Sequence, residues 1–226
     1  MIAYATDEDI AIRAPADFLA LCPKDQVVVA GTDGLFLATD PWALRSPTIN
    51  FAEVGAAAGQ IVRLTGSSAY SVQGDLYAVA SVGPGGLILR QKGQDPGQGR
   101  PPKVASGVEF AIRTLIPQIN RASIDINSRF GFGIGDAAGG RRPRDLRDCR
   151  GLLDATVLMV LSRQYLDQAR RFSGNSDEPE DWYGTKARMM KAELDGLLDR
   201  LPLQWGEASD ADRASPTARF VARLSR

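Results

Sequence analysis

The stretch from Gly131 to Arg144, GFGIGDAAGGRRPR, contains the residue types that most often bind phosphate. Within it, the residues from Gly133 to Ala138 match the relaxed dinucleotide fingerprint G-x-G-x-x-A, in which amides and a helix N-terminus hold a pyrophosphate. That chemistry needs a buried strand before the motif and a helix that starts inside it. The preceding residues, INRASIDINSRF, have helical spacing with three charges, and the next helix is predicted to begin only at Pro143. We therefore expect a connection between two helices and no bound nucleotide.

The arginines that follow could contact an anion or a protein. RRPRDLRDCR, residues 141 to 150, places five arginines and two aspartates around the predicted helix start. Three interpretations stay open for Arg141, Arg142, Arg144 and Arg147. They contact phosphate groups, pair with the neighbouring aspartates on a solvated face, or lie at a contact between subunits.

The composition excludes most enzyme mechanisms. The 226 residues include no histidine, which removes the usual general base and the usual imidazole metal ligand. The two cysteines, Cys22 and Cys149, are too few for a zinc site, and we expect two buried, reduced thiols. Lysine plus arginine equals aspartate plus glutamate at 27 each, so the overall charge indicates no polyanionic partner. We expect no catalytic site, metal or cofactor, and no membrane span, because the longest apolar run is far shorter than the ~20 residues a span needs.

The pattern along the chain predicts an α+β protein: an α-helical bundle with an inserted small β-barrel-like module and a flexible C-terminal tail. Residues 1–26 carry two short helix signals, the first starting at Thr6, and belong to the helical part. Residues 27–91 alternate β-rich runs with turn residues, as in a barrel of five to six strands, with a hairpin predicted at GTDG, 31–34. Residues 92–104 are a glycine- and proline-rich linker or arm.

Residues 105–205 are predicted to form the helical domain. Ser106 to Glu109 matches a capping box before a helix, and a long helix with an apolar centre follows Pro143. A last helix from Trp182 to Leu201 has Met189, Met190 and four leucines on one predicted stripe, where the methionines are interpreted as core fillers. Residues 206–226 are polar and proline-interrupted, as expected of a tail that orders only on binding.

Three stretches of this layout resemble the head-tail adaptor (connector, neck) proteins of tailed bacteriophages and gene-transfer agents. Tyr4 to Ile10 is similar to the family's aromatic-Ala-Thr opening, and Ala122 to Phe130 resembles its helix ending in an Arg-aromatic pattern. Leu152 to Leu201 is similar to its paired helices, with Trp182-Tyr-Gly-Thr-Lys186 at the start of the second helix. The three stretches together cover 66 of the 226 residues, less than a third of the chain. The β-module at 27–91 departs from the smallest adaptors.

The resemblance implies a structural virion protein that is assembled in the host cytoplasm and located in the neck. It implies a homo-oligomeric ring, usually of twelve copies, that docks under the portal protein, contacts a downstream neck or tail protein and lines the DNA exit channel. The C-terminal tail would bind the portal through three apolar and three basic side chains: Arg219, Phe220, Val221, Arg223, Leu224 and Arg226. Arg141, Arg142, Arg144 and Arg147 would face a neighbouring subunit or the packaged DNA.

Two alternatives stay open. The β-module resembles small barrels of other neck proteins, which favours a tail-completion or stopper-type protein. A small β-barrel that binds nucleic acid is the second alternative, from a different class, although the module has few basic residues and no evident aromatic platform.

Overall fold

A computed structural model describes residues 3–66, 69–70, 74–132, 149–172 and 179–201, with the side chains of the last range described from residue 182. These residues form two compact units. The barrel unit comprises residues 6–115, and the helical unit combines residues 3–5 with the described residues from 116 onward. The fold class is α+β, with five helices and one closed antiparallel barrel of six strands in the described parts of the chain.

The barrel unit begins with two short helices, α1 (Asp7–Arg13) and α2 (Phe18–Leu21). Thr6 caps α1 as predicted: Asp9 Oδ2 accepts a hydrogen bond of 2.7 Å from the Thr6 amide, and Thr6 Oγ1 accepts one of 3.4 Å from the Asp9 amide. Ile10, Phe18 and Leu21 are fully buried. Residues 1–26 were predicted to belong to the helical part, but from Thr6 onward they lie in the barrel unit.

Six strands close the barrel in the order β1-β2-β5-β4-β3-β6. They are β1 (Val27–Leu37), β2 (Asp40–Arg45), β3 (Ile61–Thr65), β4 (Asp75–Gly83), β5 (Gly86–Arg90) and β6 (Ala105–Arg113). The barrel is filled by aliphatic and aromatic side chains at period two, among them Val62, Leu87 and Phe110. The prediction of a small barrel is confirmed.

The prediction of a helix over 106–116 is wrong, because β6 occupies this segment. Val108, Phe110 and Ile112 alternate into the core, and β6 pairs with both β1 and β3. The match of Ser106 to Glu109 to a capping box is therefore a coincidence of residue types. The barrel consequently continues past the predicted boundary at residue 91.

The hairpin predicted at residues 31–34 is also absent, since β1 continues through this segment and turns only at residues 38–39. The glycines serve close packing: a Cβ on Gly31 would lie 2.6 Å from Phe110 Cζ. The register of β1 against β6 shifts between Gly31 and Gly34, so the strand pairing is irregular at this contact.

The helical unit contains α3 (Ile116–Arg129), α4 (Arg150–Phe172) and α5 (Pro179–Arg200). α4 contacts both of the other helices. Its centre, residues 155–161, is buried all round, as its composition predicts. An ion pair of 2.8 Å joins Arg163 of α4 to Asp125 of α3. Tyr4 extends the unit, with its amide donating to Ser123 Oγ at 3.3 Å and its hydroxyl to Asn127 Oδ1.

Candidate functional site

Five side chains meet where α4 ends and α5 begins, and we call them the aromatic cluster: Tyr165, Phe172, Trp182, Tyr183 and Lys186. Tyr165 and Phe172 are seven residues apart, so they lie on one face of α4. Trp182, Tyr183 and Lys186 lie on the first turns of α5. Tyr183 stacks on Phe172 with 5.6 Å between ring centroids, and its ring meets the Trp182 ring edge-on at 4.8 Å.

The rings of the aromatic cluster pack against one another but reach the surface. Tyr165 is buried, whereas Trp182 is 47% and Phe172 39% exposed. The Lys186 ammonium lies 3.5 Å from the Trp182 ring centroid and 5.3 Å from that of Tyr165. A cation over an aromatic face is attracted by the ring, with a gain of about 0.5–1 kcal/mol at an exposed site. The arrangement suits a protein contact, because rigid amphipathic rings are the side chains most enriched at interfaces.

A second group of charged residues lies inside the barrel unit and holds α1 to the barrel. Asp7 Oδ1 accepts a hydrogen bond of 2.6 Å from the Leu115 amide. Glu8 accepts from the Gly93 amide at 3.0 Å and forms an ion pair with Arg90 at the end of β5. Asp7, Glu8 and Arg90 are all buried. We call this group the α1 latch.

The electrostatics of the α1 latch follow from its burial. Desolvation raises the pKa of Asp7 to about 6, and the charge of Asp9 adds to the rise, whereas hydrogen bonds from Leu115 and Thr114 oppose it. Burial and the nearby charge of Asp7 raise the pKa of the Cys22 thiol to about 12, against the opposing effect of Arg113. A carboxyl with a raised pKa is a general-base candidate in an open cleft. Here Asp7 is only 1% exposed, and we interpret it as a structural clamp.

The predicted site residues lie outside the described part of the chain. This holds for the fingerprint match at 133–138, for Arg141, Arg142, Arg144 and Arg147, and for the tail residues Arg219, Phe220, Val221, Arg223, Leu224 and Arg226. Their roles therefore stay predictions. Cys22 and Cys149 are both free thiols, with Cys22 buried and Cys149 partly exposed.

The described part of the barrel offers no exposed aromatic platform for stacking bases. Its phenylalanine and tyrosine rings belong to the core, including Tyr70 and Tyr77. Trp42 is half-buried, with its ring edge-on to Tyr77 at a centroid distance of 6.5 Å. This favours a structural role for these rings in the barrel core over the binding of single-stranded nucleic acid.

The described residues contain neither a metal-binding cluster nor a membrane-spanning helix. No group of three or more cysteine, aspartate or glutamate side chains there has the arrangement to hold a metal ion. Among the described helices, none combines the length and apolarity needed to cross a bilayer.

The sequence alone did not indicate the exposure of Trp182 and Phe172 or the burial of Asp7 and Glu8. The aromatic residues just before and just after the polar stretch SGNSDEPED, 173–181, are a signal for the first. No signal marks the second, because acids in a first helical turn are usually solvated and stabilise the helix dipole. Arg90 and Leu115, which contact Glu8 and Asp7, come close to them only in the folded chain.

Comparison of the chain with family models, curated proteins and solved structures finds no match in any of the three. The functional interpretation therefore depends on the resemblance of the short motifs and on the geometry of the aromatic cluster.

Proposed function

We propose that this chain is a head-tail adaptor, a structural protein of the neck of a tailed bacteriophage or gene-transfer agent. Its copies form a ring, of twelve subunits by analogy with the family, that docks under the portal protein and joins the capsid to the tail. In this proposal α3, α4 and α5 form the helical bundle of the adaptor, and the protein is not an enzyme.

The single observation that carries this proposal is the aromatic cluster. Trp182 and Phe172 are exposed, yet their rings are packed against Tyr183 and Tyr165, so little side-chain freedom is lost on binding. The lysine that would otherwise be a mobile surface charge lies over the Trp182 ring. A protein partner that covers these rings gains apolar burial from a surface already in its bound arrangement.

The positions of the helices support the same proposal. The stretch Ala122–Phe130, which resembles the adaptor pattern, lies in α3 and the residue that follows it. The stretch Leu152–Leu201 supplies α4, α5 and Leu201 after them. The aromatic cluster includes Trp182 and Lys186, the two ends of the motif that opens the second helix of the resemblance.

The predicted roles of the basic residues belong to this proposal. The tail residues Arg219 to Arg226 bind the portal, with apolar anchors between cations. Arg141, Arg142, Arg144 and Arg147 lie against a neighbouring subunit or the DNA in the channel, where guanidinium groups bind phosphates bidentately.

The closed barrel favours one alternative, a tail-completion or stopper-type neck protein. Such a protein would bind the downstream neck or tail component and not the portal. The two assignments differ in which neighbour the purified protein retains.

The experiment is co-sedimentation with the portal protein of the same genome. Phe172→Ala should weaken the complex at least about tenfold, because a rigid aromatic anchor is lost. Val104→Ala, which changes a 56% exposed residue of the barrel unit, is the matched control and should bind as the wild type does. Unchanged melting of both variants shows that folding is intact. Equal binding of the two variants would contradict a role for the aromatic cluster.

A further inference from the structure

Three aromatic side chains lie at one end of the barrel, the end where β2, β4 and β6 begin. Trp42 lies near the start of β2, Tyr77 near the start of β4, and Tyr70 in the connection that leads into β4. We call these three residues the ring end of the barrel. The Trp42 and Tyr77 rings meet edge-on, with 6.5 Å between their centroids. Both tyrosines are buried, and Trp42 is half-buried.

The connection from β5 to β6 passes the same end of the barrel, because β5 ends there and β6 begins there. It contains the segment Arg100-Pro-Pro-Lys103, which we call the strap. Arg100, Pro101 and Lys103 are exposed, whereas Pro102 is buried. The strap is therefore attached to the barrel through one proline side chain and the polar contacts on either side of it.

A tyrosine of the ring end holds the backbone of the strap. The Tyr70 hydroxyl donates a hydrogen bond of 3.1 Å to the carbonyl oxygen of Lys103. In the other direction, the Lys103 ammonium donates to the carbonyl oxygen of Ala69. These two bonds fix the strap directly after its buried proline.

The charges at the ring end favour a basic segment. Burial raises the pKa of both Tyr70 and Tyr77, and the exposed carboxylate of Asp75 adds to the rise in each. The charge of Arg100 opposes the rise at Tyr77. A carboxylate and a guanidinium of the strap thus both lie close enough to Tyr77 to influence its hydroxyl.

This combination of contacts is the one by which proline-rich segments bind aromatic grooves. Such segments adopt the extended polyproline II conformation, which has no internal hydrogen bonds and leaves each carbonyl oxygen able to accept from a side chain. Aromatic rings line the grooves that bind them. Two adjacent prolines also lose little conformational entropy on binding, because their φ angles are already fixed.

The chain has slack that allows the strap to leave the ring end while β5 and β6 stay paired. Residues 94–99, QDPGQG, precede the strap and are exposed apart from the half-buried Asp95. Gly97 has a φ of 82°, and a Cβ placed on it would have no atom within 4 Å. Lifting the strap breaks one more bond, from the Arg100 amide to Gln91 Oε1 at 2.8 Å, which is exposed.

We propose that the ring end is a binding site for a proline-rich segment of another protein, and that the strap occupies this site in the isolated chain. The segment that fits has two adjacent prolines in extended backbone and a basic residue on either side. It takes the place of the strap, with a proline at the position of Pro102 and a carbonyl oxygen that accepts from Tyr70.

The strap sets the affinity of this site for a partner. A partner segment binds the fraction of molecules in which the strap is lifted, so the apparent Kd rises by the inverse of that fraction. A strap that is lifted in about one molecule in ten weakens binding about tenfold. The site uses no residue of the aromatic cluster, so its failure and the failure of the adaptor proposal are separate results.

A labelled peptide added to the full-length protein tests the site. The peptide GQGRPPKVA, residues 97–105, is titrated and followed by fluorescence anisotropy. The double variant Pro101→Gly with Pro102→Gly should bind it at least about tenfold more tightly than the wild type, because its own strap no longer competes. Pro96→Gly, at an exposed proline of the same connection, is the matched control and should bind as the wild type does.

A second peptide and a second substitution test the contacts themselves. GQGRAAKVA should bind the double variant at least about tenfold more weakly than GQGRPPKVA, because it lacks the prolines. Tyr70→Phe, added to the double variant, should weaken binding of GQGRPPKVA about fivefold through the loss of one hydrogen bond. Equal binding of the two peptides, or no effect of the missing hydroxyl, overturns the inference.

A milder variant covers the case in which the double variant does not fold, which thermal melting followed by circular dichroism shows. Pro102→Ala loosens the strap less and should bind GQGRPPKVA with an affinity between those of the wild type and the double variant. A folded double variant that does not bind this peptide, or a Pro102→Ala protein that binds it no more tightly than the wild type, overturns the inference.

Discussion

Asp7 shows how a residue with an ordinary sequence context acquires an unusual property from the fold. In the sequence it is one of three acids in the first turn of a helix, where negative charge is favourable. In the structure it is buried, and desolvation dominates over the hydrogen bonds that it accepts. The capping role of Thr6 and Asp9 could be predicted from the sequence because it is local. The burial of Asp7 depends on Leu115, which is 108 residues away.

Asp7 should make the protein less stable as the pH rises. Its folded-state pKa, about 6, lies above the ordinary value of 3.8, so the folded chain binds the proton more tightly than the unfolded chain does. The contribution of Asp7 to the free energy of unfolding is therefore most favourable below about pH 4, falls between pH 4 and 6, and stays reduced at higher pH. The full difference in unfolding free energy is on the order of 3 kcal/mol.

Asp7→Asn should remove this pH dependence and raise the free energy of unfolding at pH 7 by roughly 1–3 kcal/mol. Asparagine keeps an oxygen that accepts from the Leu115 amide but carries no charge. Urea unfolding at several pH values between 4 and 7 measures the difference. Asp75→Asn, at an exposed carboxyl, should leave the curve unchanged. A variant at position 7 that is less stable than the wild type at pH 7 would contradict this account.

Met189 illustrates a different limit of sequence reasoning. Leucines and methionines at helical spacing indicate an apolar helix, but a single sequence does not say how many faces are covered. Leu194 and Leu198 are buried, whereas Met189 is 61% exposed, so the interpretation of Met189 as a core filler is wrong. The helix itself could be predicted, and the existence of a second, exposed face could not.

At the scale of elements, segments with a regular hydrophobic period were predicted correctly from the sequence. Segments whose polar and apolar residues follow no single period were not. β3, β4 and β5 lie where alternating or continuous β-branched runs predict strands, and α3 and α4 where apolar residues recur at helical spacing. β6 was mistaken for a helix because its polar first half matches a capping box. Its strand identity comes from pairing with β1 and β3, which closes the barrel through contacts distant in sequence.

The α1 latch holds a helix to the barrel through a buried ion pair, so removing one charge should destabilise the protein strongly. Glu8→Gln leaves Arg90 buried without its carboxylate and should cost roughly 3 kcal/mol of unfolding free energy. The double variant Glu8→Leu with Arg90→Met replaces both charges by apolar groups and should lose less. Chemical unfolding of the three proteins measures this. A double variant that is less stable than Glu8→Gln would argue against the pair as the main attachment of α1.

At the scale of the whole molecule, the presence of a barrel and of a helical part was predicted from the sequence. The boundaries between the two parts lie at other residues than predicted. The predicted linker at 92–104 is non-regular in the structure, yet it lies within the barrel unit and not at its end. The barrel unit instead extends from Thr6 to Leu115, since α1, α2 and β6 all pack with it. Proline and glycine content marks a loop but not the end of a domain.

The candidate site was predicted less well than the fold. Composition led to the expectation that no enzyme is present, and the resemblance to adaptors led to the tail and the arginines, which lie outside the described residues. The aromatic cluster emerged only from the pairing of α4 with α5. It is the part of the functional interpretation that rests on geometry, and the proposed contact with other proteins depends on it.

Negative-stain electron microscopy of the purified protein, with and without the portal protein of the same genome, tests the central claim most directly. The account predicts closed rings of this protein seated on one face of the portal. Particles that remain monomers or simple dimers, and that leave the portal unchanged when both are mixed, would contradict it.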